Sequence, residues 1–230
     1  MATLTYAAIP TASVIADYLS GRRGPVDFNV AYQQRDNAYN LIADISSAVV
    51  SDPVVELNNE RATVRTLRNL VIQPADMPDD FDYATDNVAV VFQILVQGTW
   101  VDIPLGLYRL SKTQRDYYDG YSGGYSTVDV AASDLAIALV QGRTSAPYTI
   151  AASTNYITAC ETILTAQGMT HSLPAHSATL PLEITFDPGT SWWEILAKLT
   201  DGINFFTPWP DARGVFTTRS RGTDPSTETA

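Results

Sequence analysis

A chain of 230 residues that is 45% apolar and 17% charged has the material for one large core or two small ones, which excludes a disordered protein. Its formal charge of −11, from 25 acidic and 14 basic residues, argues against a face that grips nucleic acid, although an acidic wall lets phosphate slide past. The single cysteine, Cys160, excludes a disulfide framework, and no stretch reaches the roughly 18 uncharged apolar residues of a membrane span.

The opening MATLTYAAIPTASVIADYLSGRRG lacks the basic start and long apolar run of a signal peptide, so folding in a cytoplasmic compartment is expected. Residues 25–35 alternate, with Val26, Phe28, Val30 and Tyr32 on one face and Asp27, Asn29 and Ala31 on the other. The polar cluster RDNAYN then leads into a second strand, LIADISSAVV, and Asp52-Pro53 breaks the chain. Residues 60–72 predict another strand that slips register near Arg68, and the Pro- and Asp-rich residues 73–87 predict a loop. NVAVVFQILV is an almost continuous apolar run, which predicts a strand covered on both faces. Gln97-Gly98 turns it, Pro104 punctuates the return, and the tip DGYSGG leads to the alternating YSTVDVAA.

After Ala132 the period becomes helical. Ser133 is the expected cap of DLAIALVQ, which stops at Gly142. Residues 153–168 place Ile157, Cys160, Ile163 and Leu164 at helical spacing before a glycine stop. TLPLEITF predicts a strand, and Thr190 or Ser191 caps WWEILAKLTDG, with Trp192, Ile195, Leu196 and Leu199 on one stripe. INFFTPWP and VFTTRS form a hairpin about DARG, and residues 221–230 are a polar tail. The expected class is therefore mainly β with short helices (α+β). The divisions are an N-terminal β-barrel-like domain over 1–142, a second α+β domain over 143–220 and the tail.

Chemistry finds little foothold in these residues. His171 and His176 lie in a Pro-interrupted polar segment with no third ligand, and Asp79, Asp80 and Asp82 lack calcium-loop spacing. Ser122 sits in a literal G-x-S-x-G, but the following segment is a strand where a nucleophile elbow needs a helix. Phosphate and dinucleotide motifs are absent, and Cys160 falls on an apolar helix stripe. No enzyme activity, cofactor or metal site is expected. The aromatic residues stand out instead: Trp192 and Trp193 are adjacent and cannot share a helix face, and Phe205, Phe206 and Trp209 follow closely. These five are the candidate core or interface residues. Trp192 fits the stripe, and Trp193 is the better candidate for contact with another segment or subunit.

Residues 189–216, GTSWWEILAKLTDGINFFTPWPDARGVF, resemble a signature of phage tail hub and minor tail proteins. Residues 54–72 and 104–141 are similar to the same family, so the likeness covers about half the chain. The resemblance implies two tube-like β-barrel or sandwich domains with helices packed on them. It also implies a ring of three copies joining a tail tube to a tip, through which DNA passes without being bound. The implied neighbours are the distal tail protein, the tape measure protein and tip or fibre proteins, with the protein placed at the tail tip of the virion. Family hubs continue past this length, so the second barrel is either completed by another chain or reduced. Rival readings are another ring-forming tail subunit (tail tube or distal tail), a carbohydrate-binding β module, and a hydrolase using Ser122 or the pair Asp79 and Asp82.

Overall fold

The computed structural model describes residues 27–58, 62–83, 85–116 and 127–222, with backbone alone for 111–116. Ser122 and its G-x-S-x-G context, the opening segment and residues 223–230 therefore lie outside the described residues. Seven antiparallel strands form the main sheet: β1 (Phe28–Arg35), β2 (Leu41–Asp44), β3 (Val54–Leu57), β4 (Arg65–Ile72), β5 (Asn87–Val96), β6 (Thr99–Asp116) and β7 (Thr127–Asp134). Their order is β2-β1-β5-β6-β7-β4-β3. Three helices follow, α1 (Ala136–Gln141), α2 (Tyr156–Ala166) and α3 (Trp192–Asp201). Two short ribbons join them, β8 (Tyr148–Ile150) with β9 (Ile184–Phe186) and β10 (Trp209–Pro210) with β11 (Phe216–Thr217).

The sheet is curled around one cluster to which all seven strands contribute, from Val30 and Tyr32 through Val88, Val90, Tyr108 and Val130 to Leu70, Ile72 and Val55. Its two end strands, β2 and β3, are not paired with each other among the described residues, so the curl stays open at this seam. Residues 45–50 cross the seam. Ile45 donates its N–H to the Tyr32 carbonyl at 2.9 Å, and Val50 donates to Val71 at 3.0 Å. LIADISSAVV is thus not one strand. The Asp44 carboxylate accepts from the Ser46 N–H at 2.9 Å and turns the chain into a 3-10 turn over Ser46–Ala48. Met77 and Phe81, from the acidic loop after β4, fill the inside of the curl.

The outer face of the same strands carries a second cluster. Val88 and Val90 point inward while Ala89 and Val91 point outward, so β5 is buried on both sides, as its apolar run predicts. Outward Ala31, Ala89 and Leu107 meet Leu135, Leu139, Cys160, Ile163, Ile195, Leu199 and Phe216. Ala31 is therefore not on a solvent face, whereas Phe28, expected with Val30 and Tyr32, is 69% exposed and stacks on Phe92 at 5.9 Å. The outer cluster joins residues on both sides of position 142. The two barrels implied by the resemblance are replaced, among the described residues, by one curled sheet, a helical layer and two ribbons of two strands. The α+β, mainly β class stands.

Local irregularities have identifiable causes. The slip expected near Arg68 is a bulge between Leu67 and Leu70, with Asn69 at φ 57°. Pro104 does not end its strand. β6 runs through it because the pairing with β5 shifts by one residue between Val90 and Val91. Gly106 is required two residues later, since a Cβ there would lie 2.4 Å from the Tyr108 ring. Tyr108 is wholly buried, so Gly106→Ala is expected to cost about 1–3 kcal/mol by overpacking, read from urea unfolding midpoints.

Candidate interaction surface

Helix α3 positions the tryptophans. Ser191 caps it through a reciprocal box, with the Glu194 N–H donating to Ser191 Oγ at 3.2 Å and the Ser191 N–H donating to Glu194 Oε2 at 2.8 Å. The Ser191 N–H and hydroxyl together hold the Glu194 carboxyl below its ordinary range. Ser191→Ala is expected to remove roughly 0.5–2 kcal/mol, measured by thermal or urea unfolding. Ile195, Leu196 and Leu199 are fully buried, while Trp192 and Trp193 are both half-buried on the outer cluster. Trp192 meets Tyr148 edge-on at 5.2 Å and covers Gly142, whose added Cβ would stand 3.0 Å from its ring.

Beyond α3 the chain makes a second aromatic group. Phe205 turns into the interior, edge-on to His176 at 5.3 Å, while Phe206 remains 40% exposed. Phe206 and Trp209 lie edge to face at 6.4 Å. The Arg219 guanidinium sits 5.5 Å from the Phe206 ring and 5.9 Å from Trp209, and Arg221 approaches Phe206 at 5.6 Å. Arg221 also pairs with the Asp201 carboxylate at the end of α3. The hairpin holding these groups closes at Asp211, whose Oδ1 accepts from the N–H groups of Arg213 at 2.8 Å and Val215 at 2.9 Å. The structure thus divides the five candidates: Phe205, Phe206 and Trp209 gather at the hairpin, and the two tryptophans lie at the far end of α3.

Sequence reasoning did not pick out Arg219 or Arg221. Both follow β11, Arg221 in a turn, so strand alternation does not mark them. It also missed the seam, where Leu41, Ile42, Val50, Val54 and Leu57 are exposed, and the pair Phe28 and Trp100 beside the β5–β6 hairpin.

A buried polar knot ties this hairpin to the sheet. Asp134 accepts from the Arg65 N–H at 2.8 Å and from the Ala136 N–H at 3.1 Å; the N-cap of α1 is Leu135, with no side-chain cap, and not Ser133. Arg65 Nη1 in turn donates to the Pro210 carbonyl at 2.7 Å. Burial pushes the Asp134 carboxyl up from its ordinary 3.8 to about 6, against the pull of the backbone N–H donors and Arg65. The folded state therefore binds the proton more tightly than the unfolded chain, and this contribution is lost as pH rises from about 4 to about 6. Between about pH 4 and pH 6 the unfolding free energy of the wild type relative to Asp134→Asn is expected to fall by roughly 2 kcal/mol, checked by urea unfolding at several pH values.

The remaining polar candidates take structural places. His171 Nε2 lies 3.0 Å from Thr165 Oγ1, and His176 Nδ1 accepts from the Ala178 N–H at 3.2 Å. Asp82 takes part in the turn before β5, accepting from the Thr85 hydroxyl at 2.8 Å, while Asp79 and Asp80 are exposed. Cys160 is fully buried on α2, and burial pushes its thiol up to about 12. Among the described residues, no three His, Cys, Asp or Glu side chains come together as metal ligands. Among the same residues, no helix is long and apolar enough to cross a membrane.

A curled antiparallel sheet with α1 to α3 packed on its outer face is also found in solved tail proteins. The tail protein from Neisseria meningitidis MC58 matches 87% of this chain at 15% identity with a TM-score of 0.54. The 43 kDa tail protein of prophage MuSo2 from Shewanella oneidensis matches 86% at 11% identity with a TM-score of 0.52. The fold is one that phage tail proteins use. This chain covers 52% and 54% of those two proteins, about half of each. No family model matches the sequence, and no curated protein matches it.

Proposed function

We propose that this chain is a structural subunit of a phage tail, assembling with copies of itself into a ring at the tail tip. The observation that carries the reading is the curled seven-stranded sheet with its outer helical layer, an arrangement held in common with tail proteins over nearly the whole chain. The resemblance of residues 189–216 to hub signatures adds the finer assignment: a hub of three copies between the tail tube and the tip. The distal tail, tape measure and tip or fibre proteins are then its neighbours. DNA passes the ring without binding, consistent with a formal charge of −11. The subunit has no catalytic role.

Native mass measurement of the purified protein, with imaging of the particles, tests the reading. A closed ring of three copies with an open centre is the expected result. A chain that stays monomeric up to millimolar concentration, or that hydrolyses a glycan or ester at an enzymatic rate, overturns it.

A further inference from the structure

Charge is distributed unevenly along this acidic chain. Residues 73–86 carry five aspartates and no basic residue, whereas residues 213–221 carry three arginines and no acidic one. The first segment is anchored by Met77 and Phe81 in the inner cluster, and Asp76, Asp79 and Asp80 are exposed. The second is anchored by Phe216 in the outer cluster, and Arg219 and Arg221 are laid over Phe206 beside Trp209. The two segments are thus anchored in different clusters, one inside the curl of the sheet and one outside it.

From this we infer that the face formed by Phe206, Trp209, Arg219 and Arg221 docks the acidic loop around Asp79 and Asp80 of a second copy. The inference rests on the ring reading above and names the contact that closes it. Two copies at −11 each repel, so a contact where the signs are locally opposite favours their association. Guanidinium groups already stacked on aromatic rings are partly ordered before binding, which lowers the entropic cost of receiving a carboxylate. An exposed aromatic flanked by arginines is also the composition favoured at interface centres. A contact between two different patches is head-to-tail, and head-to-tail contacts are the kind that generate rings.

Charge reversal of the full chain tests the inference, with sedimentation as the readout and circular dichroism as the check on folding. Arg219→Glu with Arg221→Glu, and separately Asp79→Lys with Asp80→Lys, are each expected to weaken self-association about tenfold or more. The loop aspartates are exposed, so the second pair is informative even if the first perturbs the hairpin. Combining all four substitutions is expected to restore association to within about threefold of the wild type. Raising salt from about 0.1 M to about 0.5 M should weaken the wild-type assembly. If each double variant assembles as well as the wild type, or if the fourfold variant is no better than the doubles, the contact is overturned while the ring reading survives. A wild-type chain that never self-associates overturns both.

Discussion

Phe216→Ala is expected to lower the unfolding free energy by about 3–5 kcal/mol, the usual range for deleting a buried aromatic side chain. Phe216 is fully buried and is the one member of the outer cluster contributed by the C-terminal hairpin. Its backbone is fixed as well: the N–H donates to the Thr170 carbonyl at 2.8 Å, and its carbonyl accepts from the Ser172 N–H at 2.8 Å. The backbone cannot move in to close the cavity, because both sides of the peptide are held. Most of the cavity should therefore persist. Unfolding in urea, followed by far-ultraviolet circular dichroism, measures the loss, and Phe216→Leu should recover a large part of it. A loss below about 1 kcal/mol would mean that the hairpin does not pack where the structure places it.

What the sequence discloses depends on how local each interaction is. The run at β5 was legible because burial on both faces leaves a compositional trace, and Val88, Ala89, Val90 and Val91 are all buried. The bulge at Asn69 was legible because a register slip shows as a break in alternation. The cap of α3 was legible to within one residue, as Thr190 or Ser191, and the structure uses Ser191. Strand β3 was missed. VVEL is only four residues long, and two of them, Val54 and Leu57, face solvent at an edge, so no pattern of burial marks it. The seam of the curled sheet was missed for a different reason. Its closure across residues 45–50 depends on contacts with Tyr32 and Val71, partners distant in sequence. In the candidate surface, Phe206 and Trp209 could be read from composition. Arg219 and Arg221 could not, because their stacking on Phe206 exists only once the hairpin has formed.

Gly214→Val at the hairpin tip should be damaging for the opposite reason, overpacking instead of a cavity. Gly214 has φ +81°, in the left-handed region where a β-branched residue is strained. It is also pressed against the sheet, and an added Cβ would stand 2.8 Å from Leu107 Cδ2 and 2.9 Å from Leu135 Cδ1. Both leucines are essentially fully buried in the outer cluster, so neither has free volume to retreat into. Backbone strain of about 1–2 kcal/mol and overpacking of about 1–3 kcal/mol together give an expected loss of roughly 2–5 kcal/mol. Two comparisons separate the contributions. Gly214→Ala keeps the conformational strain and the Cβ clash but lacks the extra methyl groups, so it should fall between the wild type and Gly214→Val. Pairing Gly214→Ala with Leu107→Ala should relieve the clash alone, making the double variant less destabilised than the sum of the singles. Strict additivity of those two changes would show that Gly214 does not rest on Leu107, and the docking of the hairpin on the sheet would have to be redrawn.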